Sequence, residues 1–389
     1  MKLIYLTMTR LPGERAHAYQ ISKMCEVFST NGVAVTLVHP FRYQSPAVGN
    51  KSVFEFYNLQ RNFQIKQLPN WDFFFLNDWL PAGLFRIIYS SYYFFWCFYA
   101  VLAVGRQPDT IYYSRDLLLV CWSLFLGQST VYEAHVISGN LWLLRLFARS
   151  SNLKLIVVIT SFLRERFIKK GFPEKKVMVA SDAVDLERFA NLPAPEECRR
   201  RLGLPQDQPI IGYIGRFESL GEEKGIRELI QARALLKDPA LLLCVGGPMR
   251  LMAGYKKLAK DLDLGESQVK FFDYQPINKV PLWIRACDVV TIPWPWTEFS
   301  AYFTSPLKLF EYMAAGVPIV ASDLPSLREV LNKNNAVLVK PGDPLALAEG
   351  LEKLLKNSDF SVKIAEQAKV EVQKYTWQNR ARRILDEIR

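Results

Sequence analysis

Short apolar stretches alternate with amphipathic stretches of helical period along almost the whole chain of 389 residues. Residues 2–7 read KLIYLT and residues 33–40 read VAVTLVHP, and the stretch between them has helical spacing that stops at Asn31-Gly32. A strand, a helix and a second strand form a βαβ unit, whose two strands pair in parallel. The alternation therefore predicts an α/β fold built on parallel sheets.

The alternation is interrupted once and then begins again. Residues 182–209 contain four prolines, and a new series starts with the strand PIIGYIGRF at 209–217. A chain of this length is also too long for one ordinary core. We predict two Rossmann-like doubly wound domains that face each other, with a domain boundary at residues 185 and 186.

The positive charge of the chain is uneven. The net charge is +11, and residues 1–185 contain 20 Lys and Arg against 12 Asp and Glu, which is +8. Such a basic half indicates an anionic partner, either a phosphorylated substrate or an anionic membrane surface, or it serves solubility alone. We expect no nucleic-acid partner, because the basic residues do not form a recognised binding module.

Targeting and redox signals are few. The N-terminal apolar stretch is shorter than the core of a secretory signal, so we interpret it as a buried strand. The six cysteines are scattered, without a C-x-x-C pair, which is typical of reduced thiols in a cytoplasmic protein. We expect no metal site, and we interpret the D-x-D pair Asp261 and Asp263 as solvated surface.

The sequence contains an aromatic segment for which three environments are compatible with its composition. Of the 34 residues from Trp71 to Val104, 14 are aromatic, and residues 87–104 carry no charge. The simplest interpretation of 84–105 is a core helix that packs on a sheet. An aromatic face that touches a membrane surface, or a short membrane span, are the alternatives.

Ligands of open α/β sheets bind at the carboxyl ends of strands, so the turns there are candidate sites. The turn GYIGRFESLGEEKG at 212–225 brings Arg216 and Lys224 to the start of a helix. An arginine fork, a lysine and free helix N–H groups together suit a diphosphate. Without further support, both side chains could equally be solvated surface charges.

The stretch SPLKLFEYMAAGVPIVAS at 305–322 supplies the second candidate. Lys308 and Glu311 lie three residues apart, on one face of a helix that begins near Pro306. A carboxylate there can accept two hydroxyl donors, which is the geometry of a ribose diol. Glu311 could otherwise serve only to favour the helix dipole.

The order of these motifs resembles a known family. GRF, KG, LIQA, VGG and SPLKLFEYMAAGVPIVASD, followed by REV, resemble the donor-binding domain of the family 4 retaining glycosyltransferases of the GT-B fold. YEAH and VMVASDAVDLERF agree with its N-terminal half. The resemblance implies a donor domain at 186–374 and an acceptor domain at 1–185. It also implies that the last helix, 375–389, returns to the acceptor domain.

The resemblance implies roles for residues of the donor domain. Arg216 and Lys224 match the pair that holds the donor diphosphate, and Glu311 matches the carboxylate that binds the nucleotide ribose. Tyr274 lies where the family frames the base. Lys308, together with Thr304 and Ser305, completes the donor-binding candidates.

In the acceptor domain, the resemblance implies roles for two residues. Gly13 matches the glycine of the first loop, whose backbone approaches the donor phosphate and sugar, so Gly13 is a further donor-binding candidate. His135 matches the histidine beside the reacting sugar and joins Arg216 and Lys224 as a catalytic candidate. Glu133, two residues before His135, could orient the imidazole. His17 and Asp116 are further candidates on the acceptor side.

One position departs from the family pattern. Many members have two glutamates eight residues apart, but the position eight before Glu311 is Phe303. Backbone groups around Thr304 and Ser305, or Glu298, could take over that function.

The function implied is metal-independent transfer of a hexosyl unit from a UDP- or GDP-linked sugar to a hydroxyl of a glycan, glycolipid or small molecule, without a cofactor. The expected location is the cytoplasm or the inner face of the membrane. A nucleotide-sugar epimerase of the same fold and an inactive nucleotide-sugar-binding protein are the alternatives.

Overall fold

A computed structural model describes residues 1–46, 48–73, 79–219 and 221–389. Contacts divide the chain into unit 1, residues 1–181 and 377–389, and unit 2, residues 182–376. The division falls before the predicted boundary at 185 and 186 because the intervening segment bonds within unit 2. The backbone N–H of Asp182 donates to the Ser305 hydroxyl, and the N–H of Val184 donates to the Tyr375 carbonyl.

The described strands of unit 1 form one parallel sheet with the order β3-β2-β1-β4-β5-β6-β7. The central strands are buried along their whole length, as their apolar sequences TIYYS and TVYEA require. The strands are β1 (Lys2–Leu6), β2 (Ala34–Pro40), β3 (Gln64–Leu68), β4 (Thr110–Ser114), β5 (Thr130–Ala134), β6 (Leu153–Val158) and β7 (Val177–Val179).

Helices connect successive strands of unit 1, and this makes the parallel pairing possible. They are α1 (Ala16–Thr30), α2 (Val53–Tyr57), α3 (Ala82–Val104), α4 (Leu117–Phe125), α5 (Leu141–Arg145) and α6 (Ser161–Lys169).

The main described sheet of unit 2 is also parallel, with the order β12-β11-β8-β13-β14-β15, and a short hairpin, β9 with β10, stands beside it. The strands are β8 (Ile210–Arg216), β9 (Glu218–Ser219), β10 (Glu222–Glu223), β11 (Leu241–Gly247), β12 (Val269–Phe272), β13 (Val289–Ile292), β14 (Ile319–Ser322) and β15 (Val337–Val339).

The helices of unit 2 cover this sheet, and one further helix ends the chain. Those of unit 2 are α7 (Glu187–Ala190), α8 (Pro195–Leu202), α9 (Ile226–Leu235), α10 (Met252–Asp261), α11 (Val280–Arg285), α12 (Glu298–Tyr302), α13 (Leu307–Ala315), α14 (Pro325–Arg328), α15 (Pro344–Lys356) and α16 (Ser358–Glu371). The last helix, α17 (Trp377–Ile388), belongs to unit 1 and packs on α1.

The α3 helix corrects the simplest interpretation of the aromatic segment. Only its C-terminal half packs inward, through Trp96, Cys97, Ala100, Val101 and Val104. Just 28% of its most apolar 18-residue window is buried, so α3 is not a core helix. Residues 74–78 of the aromatic segment 71–104 lie outside the described residues.

The outward side of α3 carries large apolar side chains at helical spacing. We call these residues the α3 stripe: Leu84, Ile87, Ile88, Phe94, Phe95, Tyr99 and Leu102, each between 39% and 67% exposed. The stripe is about 27 Å long at 1.5 Å per residue. By length and composition alone, α3 is the one helix among the described residues that could cross a membrane, and a single such helix is weak evidence for a span.

Gly225 lets two backbone segments of unit 2 approach closely. It precedes α9 with φ +77°, and a Cβ at this position would overlap the carbonyl oxygen of Pro293, which follows β13. Gly342 has a similar φ of +69°, but a Cβ there would meet nothing within 4 Å. The two glycines therefore separate the cost of backbone strain from the cost of a steric clash.

We expect Gly342→Ala to lower the free energy of unfolding by about 1 kcal/mol through strain alone. Gly225→Ala adds the clash with Pro293, which should cost a further ~1–3 kcal/mol. Urea unfolding followed by circular dichroism measures both. Equal losses in the two variants would show that the backbone relaxes freely around residue 225.

Candidate active site

Apart from Gly13, which belongs to unit 1, the predicted donor-binding residues follow strand ends of the unit 2 sheet. Arg216 is the last residue of β8, Lys224 follows the β9–β10 hairpin, and Lys308 and Glu311 occupy the first turns of α13. Tyr274 is half-buried in the turn after β12. The parallel order of the strands brings these side chains to the same edge.

The Lys224 ammonium packs on aromatic rings. Its Nζ lies 3.8 Å from the centroid of the Trp294 ring and 5.9 Å from that of Phe299. Burial, opposed by the Glu222 carboxylate and reinforced by the Arg216 guanidinium, lowers the pKa of Lys224 to about 8. The Arg216 side chain is exposed and is therefore accessible to a ligand.

The Lys308 ammonium is buried more deeply. Its Nζ lies 3.6 Å from the centroid of the Tyr213 ring and makes no hydrogen bond. A Cβ on Gly215 would lie only 2.5 Å from this nitrogen, so a glycine at the end of β8 leaves the space that the lysine fills. Although the residue as a whole is half-buried, its charged end is enclosed.

Glu311 has an arginine partner that the sequence analysis missed. Nη1 of Arg188, in α7, donates to Oε1 of Glu311 at 3.2 Å, and its Nη2 donates to the carbonyl of Ile277 at 2.5 Å. Arg188 lies in the stretch DLERF, which was part of the family resemblance. That resemblance could have pointed to Arg188. The carboxylate is thus oriented by an arginine before any ligand binds.

The residues around the missing glutamate have structural partners. The Thr304 hydroxyl donates to the Ser300 carbonyl and contacts the Ser326 hydroxyl, and the Ser305 hydroxyl accepts from the backbone N–H of Asp182. Phe303 follows the last residue of α12, and Glu298 begins this helix with an exposed side chain. These bonds fix the entry into α13, and replacement of the first glutamate by the backbone near Thr304 and Ser305 or by Glu298 stays a prediction.

In unit 1, the predicted pair Glu133 and His135 is hydrogen-bonded. Glu133 is fully buried, and its Oε1 accepts from Nε2 of His135 at 2.8 Å. The carboxylate also accepts from Gln20 at 2.7 Å and from the hydroxyl of Tyr113 at 2.5 Å. Glu133 therefore orients the imidazole.

Arg380, in α17, is the second residue that the sequence analysis missed. Its Nη2 donates to Oε1 of Glu133 at 2.9 Å, and its Nε donates to the Ser181 carbonyl at 2.9 Å. Burial by itself would raise the pKa of Glu133, but Arg380 and the His135 ring hold this pKa well below its usual range. The C-terminal helix thus supplies the counter-ion of a buried carboxylate.

The acceptor-side candidate Asp116 and the donor-binding candidate Gly13 both hold the loop after β1. The Asp116 carboxylate accepts from the N–H of Met8 at 2.9 Å and from the Thr7 hydroxyl at 3.1 Å, and burial raises the pKa of Asp116. The N–H of Gly13 donates to the Tyr57 hydroxyl at 2.8 Å, which donates back to the Gly13 carbonyl at 2.6 Å. The Gly13 backbone N–H is thus hydrogen-bonded within the protein.

His17 belongs to unit 1 and the D-x-D pair to unit 2. His17 lies in the first turn of α1, where its side chain is half-buried. Asp261 ends α10 and Asp263 lies two residues further on, and both side chains are exposed, as predicted. Within the described ranges, no group of three or more His, Cys, Asp or Glu side chains is placed to hold a metal ion.

The arrangement in unit 2 can bind an oligophosphate. Arg216, Lys224 and Lys308 place three basic groups near the end of β8, and an anion there relieves the repulsion between their charged forms. Glu311 lies within electrostatic reach of Lys308 and can accept hydroxyl groups on the same ligand.

The contact between Arg380 and Glu133 gives a stability prediction. Arg380→Met leaves the buried Glu133 without its cation, so we expect the free energy of unfolding to fall by about 3–5 kcal/mol. Arg383→Met is the matched control, because Arg383 is on the same helix, is exposed and donates only to the Val179 carbonyl. Equal losses in urea unfolding of the two variants would contradict a structural role for the buried pair.

Comparison with known proteins agrees with these observations. Residues 195–371 match the family model "Glycosyl transferases group 1". Over 233 residues the chain is 29% identical to the D-inositol 3-phosphate glycosyltransferase of Corynebacterium urealyticum, covering 56% of this chain and 53% of that protein. Over 224 residues it is 32% identical to that of Xylanimonas cellulosilytica, covering 54% and 50%. The chain thus spans about half the length of the curated relatives it matches.

Solved structures are similar over the whole chain. HepE of Anabaena, in complex with UDP-glucose, superposes with a TM-score of 0.70 at 19% identity, covering 99% of this chain and 98% of that one. The sucrose-phosphate synthase of Thermosynechococcus elongatus gives a TM-score of 0.69 at 19% identity, covering 99% and 97%. The chain therefore has the GT-B fold, and its residues 195–371 match the glycosyl transferases group 1 model.

Proposed function

We propose that this protein is a family 4 retaining glycosyltransferase, which moves a hexosyl unit from a UDP- or GDP-linked sugar to an acceptor hydroxyl. The observation that carries the proposal is the group of Arg216, Lys224, Lys308 and Glu311 at one strand end of unit 2. The similarity to glycosyltransferases over residues 195–371 supports it. So does the similarity in fold to a protein solved with UDP-glucose.

Each group would act on a different part of the donor. Arg216 and Lys224 bind the diphosphate, Glu311 accepts the ribose hydroxyls beside its partner Arg188, and Tyr274 lies against the base. A carboxylate that an arginine already orients loses little rotamer freedom when a ligand binds.

The reaction requires stabilisation of the leaving diphosphate. As the glycosidic bond to phosphate breaks, negative charge grows on the phosphate oxygens, where Arg216 and Lys224 stabilise it. The acceptor hydroxyl attacks the same face of the sugar, and a leaving phosphate oxygen takes its proton, so that the configuration is retained. Because these cations supply the charge stabilisation, we propose that transfer needs no metal ion.

Unit 1 is proposed to supply the acceptor side. His135 contacts the reacting sugar, and the buried Glu133 fixes the orientation of its ring through Nε2. A small polyol phosphate is the first acceptor to test beside glycans and glycolipids, because two relatives are named D-inositol 3-phosphate glycosyltransferases.

Donor turnover tests the assignment. Purified protein with UDP- or GDP-hexoses should release the nucleoside diphosphate slowly without acceptor and faster with D-inositol 3-phosphate or a glycolipid. Arg216→Ala and Glu311→Ala should each lower turnover by about 100-fold, because each removes a group that binds the leaving half of the donor. Liquid chromatography of the released nucleotide measures the rate.

Arg201→Ala is the matched control, since Arg201 is an exposed arginine of unit 2 that pairs with Glu197 along α8. It should retain the wild-type rate. Unchanged turnover in Arg216→Ala and Glu311→Ala would overturn the site assignment. Donor binding without release of nucleotide would instead identify a nucleotide-sugar-binding protein, and a product of inverted configuration would exclude the retaining mechanism.

We also propose that unit 1 binds an anionic membrane surface through the α3 stripe. The stripe presents aliphatic and aromatic side chains outward, and the exposed Phe125 joins it through the ring of Trp122, whose centroid is 5.1 Å from that of Phe94. Exposed Trp71 and Trp79 lie just before α3 in sequence. Apolar stripes with interfacial aromatic residues are typical of helices that lie in the plane of a bilayer surface.

The charge of unit 1 favours an anionic lipid surface as the partner. Residues 1–185 carry a net charge of +8, and exposed Arg86 and Arg106 flank the uncharged part of α3. Basic residues near a lipid surface contribute about 1 kcal/mol each. The six cysteines are free, as in a protein of the reducing cytoplasm, which agrees with the inner face of the membrane as the location.

Vesicle sedimentation tests the membrane proposal. The protein should sediment with vesicles that contain phosphatidylglycerol and much less with phosphatidylcholine alone, and binding should weaken as salt is raised. Ile87→Glu with Phe95→Glu should reduce the bound fraction at least about tenfold, because these are the two most exposed side chains of the stripe.

Val370→Glu is the control, because Val370 is equally exposed but lies on α16 of unit 2. It should bind vesicles as the wild type does. A wild-type dimer that the α3 substitutions dissociate, without vesicle binding, would show that a second copy covers the stripe instead.

A further inference from the structure

The amino group of Lys308 is buried and has no hydrogen-bond partner. Its Nζ lies over the Tyr213 ring, in space that a Cβ on Gly215 would occupy. A cation–π contact compensates only part of the hydration that an ammonium loses. The isolated protein thus keeps a strong donor unsatisfied at the end of β8, next to the residues proposed to bind the diphosphate.

The charged neighbours of Lys308 come from several elements. Glu311 on α13 attracts the ammonium, Lys224 before α9 repels it, and on the sheet Cys244 of β11 and Tyr213 of β8 are neutral at physiological pH, since burial raises the pKa of both. Burial first, and repulsion by Lys224 second, hold the pKa of Lys308 well below its usual range. Glu311 cannot compensate fully, because it also pairs with Arg188.

We infer that Lys308 is a proton-coupled phosphate ligand: an oligophosphate that binds at the end of β8 draws one proton from solvent onto Nζ of Lys308. This inference rests on the proposed function, because it concerns the same donor site. In the free protein, burial and repulsion by Lys224 disfavour the charged form of Lys308. A bound anion favours the charged form, because it supplies a counter-charge. No bond other than the N–H bond forms or breaks.

The sign of the pH dependence follows from linkage. Binding raises the pKa of Lys308, so oligophosphate affinity is full below the pKa of the free protein and decreases as pH rises above it. Between the free and the bound pKa, one coupled proton lowers the affinity about tenfold per pH unit. Lys224, whose pKa is about 8, acts in the same direction above that pH.

Isothermal titration calorimetry with inorganic pyrophosphate and with UDP and GDP tests the inference. Titrations in buffers of different ionisation enthalpy, at intervals from pH 6.5 to pH 9.5, give the number of protons taken up. The decisive quantity is the difference in proton uptake between the wild type and Lys308→Met. Protons taken up by the phosphate itself and by Lys224 are largely the same in both proteins and cancel. We expect this difference to approach one proton per ligand, and Lys308→Met to bind roughly tenfold more weakly at low pH.

Lys340→Met is the control, because Lys340 is an exposed lysine of unit 2 that pairs with Asp343. It should take up as many protons as the wild type. Equal proton uptake in wild type and Lys308→Met at every pH would overturn the inference. It would leave the proposed function intact if UDP or GDP still binds and hexose is transferred.

A second test compares the melting temperature of the free protein with its pyrophosphate affinity. Methionine has similar length and no polar end, so Lys308→Met should raise the melting temperature of the free protein while it weakens pyrophosphate binding. A lower melting temperature with unchanged pyrophosphate binding would show that the ammonium is structural. If the wild type binds neither pyrophosphate nor UDP nor GDP, both proposals are wrong. Proton-coupled pyrophosphate binding without hexose transfer would contradict the proposed function alone.

Discussion

Each parallel sheet is covered by helices, so the interiors of its strands are apolar and polar chemistry is restricted to the strand ends. In unit 2, β8 is buried from Ile210 to Ile214 and becomes polar only at Gly215 and Arg216. In unit 1, β5 is buried throughout, and its chemistry begins at its end, with Glu133 and the following His135. The candidate residues of both units are thus placed by the requirement that parallel strands bury both faces.

The two buried charges differ in how they are satisfied. Glu133 receives hydrogen bonds from Gln20, Tyr113, His135 and Arg380, so that its charge is stable in the interior. Such a network fixes geometry and holds α17 on unit 1. Lys308 has an aromatic ring and a repelling lysine instead. A satisfied charge stabilises the protein alone, whereas an unsatisfied one is stabilised only when another molecule supplies the missing partner.

The sequence predicted the order of elements well because hydrophobic period is a local property. The strands predicted at 2–7, 33–40 and 209–217 are β1, β2 and β8, and the GT-B fold is confirmed. The edge strand β3 was missed because QIKQL is mostly exposed and shows no alternation. Helix α16 was missed because it follows α15 after a single residue, Asn357, whose side chain caps it.

Details of the site depended on contacts between residues distant in sequence. Arg188 reaches Glu311 across 123 positions, and Arg380 reaches Glu133 across 247, so no local pattern reveals either pair. The enclosure of Lys308, on α13, depends on Tyr213 and Gly215 of β8, which are distant in sequence. The exposure of the α3 stripe was also hidden, because a helix that is apolar on all sides gives the same pattern whichever side the fold covers.

The α3 stripe and the Lys308 amino group are both in surroundings that do not suit their chemistry. In water, the apolar surface of the stripe is hydrated. Covering this surface would stabilise the protein by about 25 cal/mol per Å². The ammonium, enclosed by protein, lacks the hydration that a charge requires. Neither feature stabilises the isolated chain, and a sequence selected for stability alone would place a polar residue at Phe95 and an apolar one at Lys308. Both features are therefore best explained by binding. The stripe is stabilised by an apolar lipid surface, and Lys308 is stabilised by an anion.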